Sequence, residues 1–275
     1  MSAVLEARPN APSRLALGGV GALDVGTSSG DLNTLYLKED FLFLDQSTTA
    51  NGLLATWYNQ GSGATTIVDL KDNSHFGVWK FGNTAGVTLN LYQNLFALTS
   101  VQKAVARFVV MADHSPETGS NEWFVGFYYT PSTFPCGALL SQAQGYTGLP
   151  LANGGPGNVD CTSGLVSGTY NGTGSGGSGV LGYLQTNFLP AANQWVDLVV
   201  VWTPTQCRFY CAPEGNVPVL KNSINTTIPA GTMAPPVVIQ NSSPVSNLYV
   251  DRIEVAYQFG TSFNRFTGNS ALISL

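Results

Sequence analysis

Two histidines limit the catalytic chemistry available to this chain. The run Asp113-His114-Ser115 contains the three residue types of a hydrolase triad, and His75 is the other histidine. Adjacent residues project in diverging directions, so this run does not predict a working triad. The P-loop, HExxH and CxxC motifs are absent from the sequence. We therefore expect no catalytic residue and no cofactor.

Oxygen atoms that could bind a metal ion occur at two places in predicted loops. The run Asp-Leu-Lys-Asp-Asn at 69–73 and, further along, Asp160 offer the oxygens that Ca²⁺ prefers. Solvated turn residues are the more ordinary role for such oxygens, and no CxxC pair offers a zinc knuckle. The sequence therefore predicts no metal site.

The sequence has four cysteines and does not fully determine which of them form disulfides: Cys136, Cys161, Cys207 and Cys211. Cys207 and Cys211 are four residues apart on a predicted strand, about 13 Å, which is too far for a disulfide between them. Cys136 and Cys161 lie in Gly/Pro-rich sequence and could pair. The N-terminus has no signal peptide, which favours free thiols in a reducing cytoplasm.

Charge and hydropathy exclude two classes of partner. Eleven Lys and Arg against 16 Asp and Glu give a net charge of −5 with no basic run, so we expect no nucleic-acid binding. The most apolar stretch, residues 195–202, is far shorter than the roughly 20 residues that a membrane-spanning helix needs. We therefore expect no membrane span.

The sequence pattern predicts short β-strands, and these strands would position any functional site. Runs rich in aromatic and β-branched residues alternate with Gly, Asn, Asp and Pro, and no long run repeats at the helical period. The predicted strands cover residues 53–58, 65–70, 76–81, 87–91, 105–112, 123–130, 180–184, 195–203, 207–211, 237–240 and 248–258. This pattern predicts an all-β fold, either two antiparallel sheets packed face to face or a barrel.

Two predicted strands carry information on burial. Residues 198–202 are apolar on both faces, which predicts a strand covered on both sides by other layers or by a neighbouring subunit. In residues 248–255, regular alternation places Leu248, Val250, Arg252 and Glu254 on one face. That strand is expected to have one buried face and one solvent-exposed face along its length.

Two segments differ from the rest in composition. Residues 1–34 are small and irregularly charged, and we expect an extended N-terminal arm. Residues 35–275 are expected to form a single β-sandwich domain. Within it, the Gly-rich segment at about 145–179 has little apolar surface to bury, so we predict a long exposed loop there. That loop is a candidate contact surface or a tolerated insertion.

Three segments together resemble the concanavalin A-like, laminin G-like jelly-roll sandwich. They are Glu-Trp-Phe-Val-Gly-Phe-Tyr-Tyr at 122–129, Trp-Val-Asp-Leu-Val-Val-Val-Trp at 195–202 followed by Cys-Arg-Phe-Tyr at 207–210, and Leu-Tyr-Val-Asp-Arg-Ile-Glu-Val at 248–255. The resemblance spans residues 35–260. It implies a two-sheet antiparallel jelly-roll.

The resemblance does not extend to the enzymes of that family. Family members that hydrolyse glucans carry Glu-x-Asp-x-Glu or Glu-x-Asp-x-x-Glu on one strand, and this sequence has neither. Asp251 and Glu254 have an odd separation, which in a regular strand sends the two carboxylates to opposite faces. A polysaccharide-acting enzyme would need carboxylates assembled by folding, from Asp160, Asp197, Asp251 and Glu254.

Exposed aromatic rings are the candidate contacts for a glycan or another partner. Trp57 and Tyr58 lie beside Asn and Gly residues, and Tyr128 and Tyr129 precede a Pro-bearing loop. Most other aromatic residues are expected in the core, because burying them stabilises a sandwich of this size.

A non-catalytic jelly-roll with an arm and few charges resembles structural proteins of tailed-phage virions. The resemblance implies a capsid-decorating or cement protein, trimeric by analogy, made in the host cytoplasm and located in the virion. Its partners would be capsid or other virion proteins, held by the arm. One alternative is a glycan-binding module of a phage tail fibre or receptor-binding protein, and another is the polysaccharide-acting enzyme on the same scaffold.

Overall fold

The structure is a computed structural model of the chain. It describes residues 34–39, 49–51, 56–59, 65–68, 74–75, 77–81, 87–91, 101–113, 122–129, 136–142, 164–171, 180–226, 228, 236–241 and 247–259. The predicted arm before Thr34 lies outside these ranges, as does most of the Gly-rich segment at 145–179.

Strands account for the secondary structure of the described ranges, which contain no helix. The strands are β1 (Thr34–Glu39), β2 (Thr49–Asn51), β3 (Thr56–Asn59), β4 (Thr65–Val68), β5 (Val78–Phe81), β6 (Val87–Leu91), β7 (Val101–Ala112), β8 (Glu122–Tyr129), β9 (Cys136–Gln142), β10 (Val166–Asn171), β11 (Val180–Gln185), β12 (Gln194–Thr203), β13 (Gln206–Pro213), β14 (Val219–Ile224), β15 (Pro236–Asn241) and β16 (Leu248–Phe259). No helix in this part of the chain is long and apolar enough to cross a membrane.

The strands form two sheets. Sheet A has the order β14-β13-β12-β7-β16-β5-β4, with β1 also paired to β16, and sheet B has the order β11-β10-β9-β8-β15-β6-β3-β2. The paired strands are antiparallel, for example β7 with β12 and β8 with β9. The predicted all-β class with two antiparallel sheets is confirmed.

The core lies between the two sheets, which makes the fold a sandwich. Alternate residues of β7, β12, β13 and β16 from sheet A pack with residues of β8 and β9 from sheet B. Phe127 and Tyr257 meet across the sheets with ring centroids 6.3 Å apart. Strand alternation explains this set, because every second side chain of each strand points to the same face.

The other face of sheet A, its outer face, is buried as well. Val105, Val199, Val201, Tyr210 and Ala256 form a second apolar cluster there. Val199 and Val201 lie on β12, whose Leu198 and Val200 belong to the core between the sheets. The prediction that residues 198–202 are covered on both faces is confirmed, and the burial is present in the single chain.

A β-bulge corrects the predicted alternation of the closing strand. The register of β16 against β7 shifts between Val250 and Arg252, so Asp251 is an extra residue without an opposite partner on β7. Val250 and Ile253 therefore both face the core, although regular alternation predicts opposite faces. The assignment of Leu248 and Val250 to the same face as Arg252 and Glu254 is wrong for this reason.

The predicted exposed loop at 145–179 is also partly wrong. Residues 166–171 form β10, between β11 and β9 of sheet B, and its Ser167 and Thr169 are fully buried. Their hydroxyls donate hydrogen bonds to the carbonyls of Leu184 and Thr226, at 3.0 and 3.3 Å. Small polar residues can thus form a buried strand when main-chain oxygens accept their hydrogens, which composition alone does not reveal.

Candidate functional site

The aromatic residues predicted to contact a glycan or partner all lie in sheet B. Trp57 and Tyr58 belong to β3, and Tyr128 and Tyr129 belong to β8, with β15 and β6 between these strands. Three strand spacings separate the two pairs, about 14 Å. Their side chains lie outside the described part of the structure, so their role as contacts stays a prediction.

The backbone register places the two aromatic pairs near the same level of sheet B. Tyr58 is opposite Asn90, the β6 residue that pairs with Val237 of β15, and Val237 pairs with Gly126 of β8. Tyr128 is two residues beyond Gly126 along the same strand. The fold therefore brings the two pairs into one region of sheet B, although 69 residues or more separate them in the sequence.

The structure describes only part of the remaining predicted candidates. The run 69–73, Asp160, Cys161 and His114 lie outside the described residues, and for Cys136 only its place at the start of β9 is given. Asp113 accepts hydrogen bonds from the backbone N and side-chain Nδ2 of Asn247, at 2.8 and 2.5 Å. Asp113 thus ties the end of β7 to the start of β16.

Two of the cysteines behave as predicted. Cys207 and Cys211 are free thiols, both buried on the face of β13 that packs against sheet B. Burial raises the pKa of the Cys211 thiol to about 12. A thiol in this state is a poor nucleophile and a poor metal ligand, because both reactions require the thiolate.

Two of the carboxylates proposed for catalysis lie in a buried ion network on the outer face of sheet A. Arg107 of β7 lies between Asp197 of β12 and Glu254 of β16. Its Nε donates to both carboxylate oxygens of Asp197, at 2.9 and 3.0 Å, and its Nη1 is 3.5 Å from Glu254. Arg252 approaches the other oxygen of Glu254 at 3.4 Å.

This network is electrostatically balanced, with two guanidinium groups and two carboxylates. Burial alone would lower the pKa of Arg107, but the hydrogen bonds and charges of Asp197 and Glu254 outweigh it and raise that pKa. Asp197 and Glu254 are thus both engaged in cross-strand contacts with Arg107.

A second polar cluster lies at the end of the outer face, around His75 and Trp195. The ring of His75 is buried and stacks on the indole of Trp195, the second residue of β12, with centroids 4.1 Å apart and an interplanar angle of 11°. The stack fixes the plane of the imidazole. Its Nε2 is 2.7 Å from a carboxylate oxygen of Glu214.

Two carboxylates complete this cluster, and local backbone structure positions each of them. Glu214 is in a turn closed by the Asn216 N–H to Pro213 carbonyl bond of 3.1 Å, and Gly215 supplies the φ of +81° that a type II turn requires. Asp251 is the extra residue of the β16 bulge. One potential ligand atom each from His75, Glu214 and Asp251 lie within 4.8 Å of one another.

Sequence analysis missed this cluster because its members are far apart in the chain. His75 precedes β5, Glu214 follows β13 and Asp251 lies in β16. Only the order of strands in sheet A brings them together. The sequence does show His75 and the turn sequence Pro-Glu-Gly-Asn at 213–216, each of which could belong to a metal site. Neither of them indicates which other residues lie beside it.

The sandwich also has an open edge, formed by β14 of sheet A, β11 of sheet B and the loops beside them. Among the described strands, neither β14 nor β11 has a second neighbour in its sheet. The exposed large apolar side chains of the described region gather here, with exposed fractions of 46% to 58%: Leu184, Leu189, Val217, Val219 and Leu220. Unpaired strands with exposed apolar side chains are typical of protein interaction surfaces.

A single amide connects the two sheets at this open edge. Nδ2 of Asn222, on β14, donates to Ser167 Oγ at 2.8 Å and to the carbonyls of Leu184 and Gln185 at 3.0 and 2.9 Å. The neighbouring Lys221 places its Nζ 5.7 Å from the centre of the Phe188 ring. The edge strands are thus held at a fixed separation while their outer sides stay open.

Comparisons with known proteins concern the fold. No protein-family model matches this chain, and no curated protein is similar to it in sequence. Solved structures similar in fold include peanut lectin with a nine-residue peptide, at 9% identity and a TM-score of 0.47, covering 83% of this chain and 99% of that one. The exoplasmic/lumenal domain of VIP36, with bound Ca²⁺ and Man3GlcNAc, is 10% identical with a TM-score of 0.47, covering 74% and 84%.

An enzyme is among the similar structures as well. A mutant of the GH43 protein BlXynB from Bacillus licheniformis is 15% identical with a TM-score of 0.44, and the match covers 80% of this chain and 39% of that one. These neighbours are concanavalin-like jelly-roll sandwiches, the fold class that the sequence predicts for this chain.

Proposed function

We propose that this protein is a non-catalytic structural subunit that assembles with further copies of itself through the open edge. The observation that carries the proposal is the set of five exposed apolar side chains along β11, β14 and their flanking loops. Apolar area of this kind favours association, because contact removes it from water. A structural role also agrees with the ion pairing of Asp197 and Glu254 with Arg107.

The geometry of the open edge permits strand pairing between copies. The two unpaired strands lie side by side at this edge, so β14 of one copy can pair with β11 of a second copy while β11 of the first pairs with β14 of the second. Such a reciprocal contact gives a two-fold dimer, whereas the trimer is implied by the family resemblance alone. A contact based on apolar residues also suits copies that each carry a net charge of −5.

A virion surface is the proposed location of this assembly. The low charge and the predicted N-terminal arm of residues 1–34 support a capsid-decorating or cement protein. The arm would bind capsid or other virion proteins, and an oligomer carrying several arms would bind more tightly than a monomer. Co-sedimentation of the full chain and of a chain starting at Thr34 with empty capsids tests this location.

Light scattering after size exclusion tests the assembly. We expect the full chain to elute with at least twice the 29.0 kDa mass of one copy. The double variant Val219→Lys with Leu220→Lys should elute as a monomer, because it places charge on the apolar edge. Gln102→Lys, an exposed position at the start of β7, is the matched control and should leave the mass unchanged. A monomeric wild type, or a double variant with unchanged mass, would contradict the proposal.

Glycan binding by sheet B is the second candidate function. It is supported by the register that brings β3, with Trp57 and Tyr58, near the level of Tyr128 and Tyr129 on β8. Aromatic rings at such positions could stack on sugar rings of a host-surface glycan. A glycan array with the wild type and the Trp57→Ala and Tyr128→Ala variants tests this. Binding that both substitutions weaken supports a lectin, and an array without any bound glycan removes this candidate.

A further inference from the structure

We propose that His75, Glu214 and Asp251 form a binding site for a divalent transition-metal ion of the zinc type. The site lies on the outer face of sheet A, and the proposal goes beyond the proposed function. It also differs from the sequence-based expectation, which contains no metal site.

Distances within the cluster suit a metal ion. The three potential ligand atoms lie within 4.8 Å of one another. Zinc ligands sit about 2.0–2.2 Å from the metal in tetrahedral geometry, so two ligands of the same ion are about 3.3–3.6 Å apart. The side chains of Glu214 and Asp251 are partly exposed and can rotate to close a difference of about 1 Å.

The imidazole is the preorganised member of the set. Only 6% of His75 is exposed, and its stack on Trp195 holds the ring plane while Nε2 points to Glu214. A fixed imidazole nitrogen lowers the entropy that metal binding must overcome. Its 2.7 Å contact with Glu214 is a hydrogen bond, so the ion would replace the hydrogen and the Glu214 carboxylate would move back by roughly 0.6–0.9 Å to make room.

Ligand type and charge determine the class of ion. One imidazole and two carboxylates suit zinc and its first-row neighbours better than Ca²⁺ or Mg²⁺, which prefer oxygen ligands alone. A neutral imidazole with two carboxylates carries a charge of −2, which a divalent cation neutralises. Three protein ligands leave a coordination position open for water or another ligand.

Local backbone structure supports the carboxylate positions independently of any ion. Glu214 is held by its N–H bond to the Trp195 carbonyl, at 3.0 Å, and by the turn at Gly215. Asp251 owes its position to the bulge in β16. These constraints act on the backbone, so removing one carboxylate charge should leave the fold intact.

Calorimetric titration of the full chain with Zn²⁺ tests the site. We expect one ion bound per chain, and an affinity at least about tenfold weaker in both Glu214→Gln and Asp251→Asn. Glu122→Gln is the matched control, since it makes the same charge change at the start of β8, in the other sheet. Its affinity should equal that of the wild type.

Titration with Co²⁺ separates this site from the cysteines. We expect a visible spectrum typical of nitrogen and oxygen ligands. The proposal is overturned if the wild type shows no saturable binding, if neither carboxylate variant weakens it, or if the cobalt spectrum shows thiolate ligands. If one variant fails to fold, the other decides the result.

Discussion

The two faces of sheet A are both buried, yet they differ in chemistry. The inner face, packed against sheet B, consists of apolar residues such as Phe108, Leu198 and Phe209, together with two thiols. The outer face combines an apolar cluster around Val199 with the ion network of Arg107, Asp197 and Glu254. Burial thus does not require an apolar surface, provided that each charge has a partner on the next strand.

The ion network on the outer face determines the register of β7 against its two neighbours, in addition to its effect on stability. Arg107 is directly opposite Glu254 on one side and diagonal to Asp197 on the other. A one-residue slip of β7 would move the guanidinium to the inner face, where no carboxylate of this network faces it. The ion network therefore specifies how three neighbouring strands align, which apolar contacts on the inner face specify less sharply.

Removing the central cation should have the largest effect. Arg107→Leu leaves Asp197 and Glu254 buried without their shared partner, and we expect the free energy of unfolding to fall by about 3–5 kcal/mol. Urea denaturation measures the change. The triple variant with Asp197→Leu and Glu254→Leu should recover most of the loss, because an apolar outer face would then resemble the inner one. A triple variant that is less stable than Arg107→Leu would contradict this prediction. It would show that the network contributes stability beyond offsetting the cost of burying its charges.

A cavity in the inner face should have the next largest effect. Leu198 is fully buried on β12, so Leu198→Ala should lower the free energy of unfolding by about 2–5 kcal/mol. Gln102→Ala, at an exposed position at the start of β7, is the control and should change it by less than about 0.5 kcal/mol. Equal losses at the two positions would mean that Leu198 does not contribute as a buried side chain.

Alkaline pH should destabilise the inner face through its thiol. Burial raises the pKa of Cys211 from its ordinary value of 9.0 to about 12, so between these values the unfolded chain has lost a proton that the folded chain retains. Its stabilising contribution is complete below pH 9.0 and decreases above it, by at most about 1.4 kcal/mol per pH unit. Urea denaturation at several pH values should show a shallower decrease for Cys211→Ala. Some decrease should remain, because burial also raises the pKa of Tyr257. Identical pH profiles would contradict the prediction.

Much of the fold could be predicted because it depends on local patterns. The sequence predicts a strand over residues 195–203, and the structure has β12 at Gln194–Thr203. The apolar residues on both of its faces predict that it is buried within the fold. β10 was missed, because Ser167 and Thr169 carry none of the apolar pattern that identifies a buried strand. The phase of β16 was missed as well, since a bulge such as that at Asp251 has no fixed sequence signature.

The candidate site was harder to predict than the fold. His75 and Glu214 are 139 residues apart, and their contact depends on the order of strands in sheet A. The pairing of Asp197 with Arg107 spans 90 residues and likewise has no sequence signal, which is why the sequence alone leaves Asp197 among the candidate catalytic carboxylates. By contrast, the separation of Cys207 and Cys211 was predictable, because it depends on distance along one strand.

Asn222 has a mechanical consequence for the molecule. Its side-chain nitrogen contacts three oxygen atoms of sheet B, so the two sheets cannot separate at that edge without losing all three contacts together. Force that spreads the sandwich there would load these three contacts at the same time, together with the hydrogen bond from the Thr169 hydroxyl to the Thr226 carbonyl. The stiffness of this edge therefore depends on one amide side chain and one hydroxyl.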